Sequence, residues 1–262
     1  MLALIAGQGR LPAVLASSLD QAPLVASLEG FIPDGLPVDL TFRIEHLGSF
    51  LAELKTKGAT EVCFAGAVRR PPLDPSAIDA ATMPLVPRIM QALHLGDDAA
   101  LRVVLDIFEE AGITIRAAHD VLPKLLPDAG LLTTAPLSPT AEKDAARAAE
   151  IVAALGAADI GQACVVKAGQ ALALEGSFGT DWMLDSLVRR ADGDGGLLFK
   201  APKPGQDRRI DLPTIGLETV RAAAAAKLDG IVIEAGGVMV LDRDDTVKSA
   251  DDRGLFIWVR QP

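Results

Sequence analysis

Short apolar runs alternate with stretches of helical periodicity through the first half of the chain. Leu2–Ala6, Leu24–Leu28, residues 40–44, 61–66 and 113–118 are compact apolar runs bounded by glycine or polar residues, and each predicts a strand. Between them, Pro12 opens a helix reaching Ser18, a short helix covers 50–57, and two further helices cover 77–93 and 97–111. The first of those two carries Pro84 and Pro87, which break it. The second places Leu101, Val104, Leu105 and Phe108 on one face. Strand–helix alternation of this kind implies a mostly parallel, Rossmann-like sheet with helices on its faces.

Residues 122–139 change character. Four prolines, Gly130 and two threonines leave little regular periodicity, so this stretch is read as a connection between domains at 1–121 and 140–262. Beyond it, 140–155 predicts a strong helix with Thr140 as its N-cap. Residues 162–166 and Gln170–Leu174 predict a hairpin turning near Gly169. A helix over 179–190, a strand over 196–200, a helix over 213–228 and strands over 231–235, 238–242 and 255–259 complete the pattern. Hairpins among these elements predict a mixed sheet, giving an α/β fold of two domains.

Composition narrows the function classes. Half of the 262 residues are hydrophobic, enough for full cores, and the formal charge is −10. A net acidic chain is a poor nucleic-acid binder. Cys63 and Cys164, each in an apolar strand-like run, read as buried free thiols of a reducing cytoplasm. The run from Met1 to Gly7 has no basic residues ahead of it and reads as a first strand, not a signal peptide. No apolar run reaches the length of a membrane span.

Against this acidic background, Lys200, Lys203, Arg208 and Arg209 fall within ten positions, beside Pro202 and Pro204 and just ahead of Asp211. Prolines exclude a helix interior or a central strand there, so the segment is a stiffened loop holding cations. Exposed ion pairs contribute only about 0–1 kcal/mol, whereas hydrogen bonds to charged groups contribute roughly 1.5–3 kcal/mol each. Clamping a phosphate ester or anhydride explains the crowding better than stability does. Asp211 would position a metal ion or a water, and a rival role is to cap the helix expected from Pro213.

Gly7-Gln-Gly9-Arg10-Leu-Pro12 follows a strand and opens a helix, where backbone amides can receive an anion. It lacks the third glycine of a dinucleotide fingerprint, and a tight strand-to-helix turn explains it equally. Gly66 ends a second strand in the same way, followed by Arg69 and Arg70, which are either phosphate partners or solvated loop cations. Thr180 and Asp181 precede apolar helical positions. Either one reads as an N-cap, or Asp181 and Glu175 help Asp211 hold a divalent cation. His46, His94 and His119 show no metal-ligand spacing.

Taken together these motifs resemble a known family. Leu4-Ile-Ala-Gly-Gln-Gly-Arg-Leu-Pro12, Val62-Cys-Phe-Ala-Gly66, Gly96-Asp-Asp-Ala99, Asp159-Ile-Gly-Gln162, Gly179-Thr-Asp181, Lys200-Ala-Pro-Lys-Pro204 and Asp211-Leu-Pro-Thr-Ile-Gly216 are similar to motifs of the UDP-2,3-diacylglucosamine pyrophosphatases of lipid A biosynthesis, in the form unrelated to metallophosphoesterases. The resemblance implies two α/β domains holding the substrate between them. It also implies magnesium-assisted hydrolysis of UDP-2,3-diacylglucosamine to UMP and 2,3-diacylglucosamine 1-phosphate (lipid X). The family's key aspartate falls on Asp211, which with Asp181 would hold the Mg2+. Lys200, Lys203 and Arg209 would neutralise the diphosphate. Gly7, Gly9, Gly66, Arg69 and Thr180 would receive substrate.

A two-chain lipid substrate further implies transient contact with the inner face of the inner membrane. It also calls for an apolar wall, for which the segment from Met83 to Met90, with Leu93, is one source and core packing the alternative use. A homodimer is left open. The rival readings are a nucleotide-sugar or phospholipid binding protein without turnover and, on the glycine turn alone, a nicotinamide-dependent oxidoreductase.

Overall fold

The structure, a computed structural model, describes residues 1–69, 73–93, 97–191, 193–210 and 212–262. It divides into two compact units, Met1–Pro123 with Asp207–Ile210 and Lys124–Gln206 with Asp211–Pro262.

Unit 1 is built on β1 (Leu2–Ala6), α1 (Leu11–Ser18), β2 (Leu24–Leu28), β3 (Leu40–Phe42), α2 (Leu47–Thr56), β4 (Glu61–Ala65), α3 (Val86–Leu93), α4 (Asp97–Glu110), β5 (Thr114–Ile115) and α5 (Ala118–Val121). All sheet pairings are parallel, in the order β3-β2-β1-β4-β5. The order reverses between β1 and β4. β1 is central, and its apolar run is buried on both faces. On one face, Leu47, Phe50, Leu51 and Leu54 of α2 recur at helical spacing and pack with Leu105 and Phe108 of α4. The Phe108 ring meets Phe50 and Phe64 edge-on, with centroids 6.5 and 5.1 Å away. Each such side chain contributes about 1.5–3 kcal/mol when fully buried.

The helix expected over 77–93 is instead two 3-10 turns, Pro75–Ala77 and Met83–Leu85, followed by α3. Proline fits only a first helical turn, so Pro84 and Pro87 each mark a new start. The strand expected over 113–118 shortens to Thr114–Ile115, because α5 begins at Ala118.

Unit 2 contains β6 (Gly130–Leu131), α6 (Ala141–Ala157), β7 (Ala163–Lys167), β8 (Gln170–Leu174), α7 (Gly179–Ser186), β9 (Leu197–Lys200), β10 (Thr214–Ile215), α8 (Leu217–Ala225), β11 (Gly230–Glu234), β12 (Met239–Val240), α9 (Arg243–Asp251) and β13 (Phe256–Arg260). Six strands form a mixed sheet ordered β6-β13-β11-β9-β7-β8, with β9, β11 and β13 parallel and β7 antiparallel to β9. Alternation puts Val165, Leu198, Ile231 and Ile233 on the face covered by α7, α8 and α9, and Cys164, Val166, Phe199 and Val232 on the face covered by α6.

The Pro-rich stretch 122–139 is not bare connection. β6 within it pairs antiparallel with β13, and Thr134 donates from its amide and hydroxyl to Asp251. Thr140 occupies the N-cap position of α6, but its hydroxyl donates to Asp144 Oδ2 at 2.7 Å and makes no cap bond. Asp144, buried, also accepts from the amides of Ala168 and Gly169, which ties the helix to the β7–β8 turn. The helix expected from Pro213 begins only at Leu217. Thr214–Ile215 pairs with Met239–Val240, and extended Gly216 donates its amide to Thr219 Oγ1. Gly216 is therefore the residue at the N-cap of this helix.

Candidate active site

The motifs of the second half meet at one edge of the unit 2 sheet. Parallel β9 and β11 both end there, at Lys200 and Glu234, while antiparallel β7 begins there with Ala163 opposite Lys200. Strand β8 ends there too, and the Glu175 amide donates to Ala163 O. Lys200 is 8 % exposed, and its Nζ donates to Thr180 Oγ1 at 2.9 Å and to the Thr214 carbonyl at 3.1 Å. An ammonium is costly to bury unless hydrogen-bonded, so these two oxygens hold it at a defined point.

The capping expected of Thr180 or Asp181 is not made. Phe178 occupies the N-cap of α7 without a side-chain cap bond, while the Thr180 hydroxyl serves Lys200. Asp181 is exposed in the first turn of α7.

The stiffened loop departs from the same edge. Lys203 Nζ pairs with Asp159 Oδ1 at 2.6 Å, and Asp159 takes a positive φ of 53° to present it. Two glycines allow the close packing around this pair. A Cβ at Gly156 would come within 2.5 Å of Pro204, and one at Gly161 within 2.3 Å of the Glu175 carbonyl. The Ala201 amide donates to Gln162 O. The motifs at Asp159, Gly179, Lys200 and Thr214, far apart in sequence, are thus neighbours here.

The loop's cations do not share one surrounding. Arg209 lies in the unit 1 segment Asp207–Ile210, and its guanidinium donates to both Asp207 oxygens and, at 2.7 Å, to Glu109 Oε1. The hydrogen bond to Asp207 leads in raising the Arg209 pKa, and it lowers that of Asp207 in return. Arg208 is exposed. Asp211, Arg70 and His94 lie outside the described residues, as does Gly96 of the Gly96-Asp-Asp-Ala99 motif.

In unit 1 the two glycine turns fall at the ends of β1 and β4, the pair where strand order reverses. Open α/β sheets bind ligands at that position. Gly7 N donates to Ala65 O, and Gln8 and Ala67 exchange both backbone bonds. A Cβ on Gly7 would stand 2.6 Å from Ala67 O, and one on Gly66 (φ 93°) 2.7 Å from Gln8 O. Close approach of two backbones therefore accounts for both glycines. Gly9, at φ 93°, has open space around it, and Arg69 is exposed.

Sequence reasoning put Glu175 in a supporting role, yet its side chain is 8 % exposed and Oε2 has no hydrogen-bond partner among the described residues. Its signal was its place just past an apolar strand, five residues ahead of Thr180. The described residues hold no group of three His, Cys, Asp or Glu side chains suited to a metal. On the outer side of α7, Phe178 and Trp182 stand 76 % and 59 % exposed with ring centroids 5.2 Å apart. All other phenylalanines and the second tryptophan are buried or half-buried.

Comparison with known proteins covers both units. The LpxI N-terminal domain model matches residues 1–125, and the LpxI C-terminal domain model matches residues 128–258. The UDP-2,3-diacylglucosamine pyrophosphatase LpxI of Caulobacter vibrioides is 40 % identical over 268 residues, which span 98 % of this chain and 96 % of that protein.

Proposed function

Because the chain belongs to the LpxI family, we propose that it hydrolyses the diphosphate of UDP-2,3-diacylglucosamine, releasing UMP and 2,3-diacylglucosamine 1-phosphate for lipid A biosynthesis. The observation that carries this reading is 40 % identity across both domains to a pyrophosphatase of that substrate. The buried Lys200–Thr180 pair supports it physically, since a fixed ammonium at a sheet edge suits an oxyanion that gains charge during P–O cleavage.

Lys200 and Thr180 meet the diphosphate. Lys203 and Arg209 each exchange a protein carboxylate for a phosphate oxygen, and these charge-assisted bonds are the strong kind. Gly9 and Arg69, with the Gly7–Gly66 turn, receive an anionic part of the substrate at the strand-order reversal of unit 1. Asp181 and Asp211 would hold a magnesium ion. An exposed carboxylate next to a threonine hydroxyl suits a hard cation, which takes oxygen ligands and commonly only one or two protein carboxylates. The bound ion would draw charge from the diphosphate oxygens.

The reaction takes place in the cytoplasm, at the inner face of the membrane, where a diacylated substrate resides. No helix among the described residues is long and apolar enough to cross a membrane. The exposed Phe178–Trp182 pair supports peripheral contact instead, and Met83 and Met90, also exposed, offer an apolar surface to acyl chains. Incubation of the purified protein with UDP-2,3-diacylglucosamine and magnesium should release UMP and the sugar 1-phosphate, read by chromatography and mass spectrometry. Asp211→Ala should lower the rate by orders of magnitude while substrate still binds. Tight binding by the wild-type protein with no product over hours would overturn the reading.

A further inference from the structure

We infer that Glu175 is a further catalytic residue of this site, its unpartnered Oε2 accepting a hydrogen bond from the water that attacks the diphosphate. The inference rests on the function proposed above and on three observations within unit 2. Ala163 stands opposite Lys200 on one side and is bonded through its carbonyl to the Glu175 amide on the other. Residues directly opposite on neighbouring strands project from the same face, so Lys200, Ala163 and Glu175 form a row. The face is that of α7, because Ala163 packs in the cluster with Met183 and Leu184 of that helix and Lys200 bonds to Thr180. Alanine in the middle leaves space between the two long polar side chains.

Glu175 and Lys200 are each only 8 % exposed. A buried carboxylate oxygen without a donor is costly, and proteins seldom leave one except where a ligand or water completes it. Gly161 reinforces the point, since its missing Cβ is what admits the Glu175 backbone to this edge. The charge around the row selects the partner. With the Lys200 ammonium already on this face, a second cation at Glu175 is opposed by like charge, so a neutral O–H donor is favoured.

Water fits the proposed reaction. Its oxygen forms a bond to one phosphorus while one of its protons passes to Oε2. The electron pair of the bridging P–O bond leaves with the displaced phosphate, next to Lys200. The carboxylic acid then returns its proton to solvent. A substrate hydroxyl is the other neutral donor, and it would make Glu175 a binding residue only.

Steady-state kinetics of Glu175→Gln, against a wild type first shown to release UMP, separates these. General-base contributions are typically 10²–10⁴-fold, so kcat should fall at least about 100-fold with KM changed less than about threefold. Glu175→Ala should regain at least about tenfold in kcat on adding formate, which supplies the missing carboxylate. Glu175→Asp, which keeps the charge, tests the role if the other variants fail to fold, and should lose about tenfold in kcat. An unchanged kcat, a loss confined to KM, or no response of the alanine variant to formate would each overturn the inference. An inactive wild type would sink the functional reading itself, so the two failures are distinguishable.

Discussion

Burial dominates the chemistry of the two thiols. Cys63 and Cys164 are fully buried and unpaired by disulfide, and loss of hydration pushes both up to about 12. Thiolate is the reactive form, so neither should react with a disulfide reagent at pH 8 in the folded protein, and both should react in denaturant. Fast labelling of either thiol under native conditions would contradict this burial. Glu45 shows the opposite shift. It accepts from Arg43 and from the Asp74 amide in a buried position, and those bonds, led by Arg43, hold it at about 2 against an ordinary 4.5. A carboxylate depressed on folding stabilises the protein fully above about pH 4.5, and that contribution disappears as pH falls through about 2. Glu45→Gln should therefore cost about 2 kcal/mol at pH 7, with the gap to wild type closing toward pH 2. Urea denaturation followed by circular dichroism at several pH values reads this gap, and a pH-independent gap would refute the assignment.

At the scale of elements, α7 connects two surroundings. Its inner side carries Met183 and Leu184 into the core and Thr180 to Lys200, while its outer side displays Phe178 and Trp182. An amphipathic helix spends its apolar residues on the core, so two adjacent aromatics facing water point to an apolar partner. Trp and Phe at such positions insert at the bilayer interface. In the proposed peripheral contact, exposed Asp181 and Asp185 on the same helix would repel anionic headgroups and favour a zwitterionic surface. Phe178→Ser with Trp182→Ser should reduce co-sedimentation with phosphatidylcholine vesicles at least about fivefold and leave thermal stability within a few degrees. Equal sedimentation of both forms would exclude this face. The β7–β8 hairpin shows how an element is secured by one residue the local pattern did not flag. Asp144 on α6 closes its turn, and only the folded chain brings position 144 to 168 and 169.

For the whole molecule, strand and helix alternation determined the class of each unit, because burying apolar runs of period 2 and 3.6 leaves few arrangements. Two parallel-sheet glycine ends, a mixed second sheet and the end-to-end motif resemblance were all legible in the sequence. The elements misread locally were those ruled by distant partners. Residues 213–216 look like a helix start, but Thr214–Ile215 is claimed by Met239–Val240. Site residues divided in the same way. Lys200 and Thr180 carried readable chemistry type, but their mutual bond follows from β9 ending beneath α7. Gly7 and Gly66 were read as an anion cradle or a tight turn, and the close approach of two backbones already requires both glycines. Lys203 and Arg209 were read as diphosphate partners, and the fold adds that each faces a carboxylate, 44 and 100 positions away in sequence. The sequence by itself thus determined fold class, family and the kinds of side chain at the site, since these depend on local pattern and motif. Which polar groups are paired, and that Glu175 Oε2 has no donor among the described residues, only the tertiary structure decided, because hydrogen-bond satisfaction depends on distances between residues that the chain order does not encode.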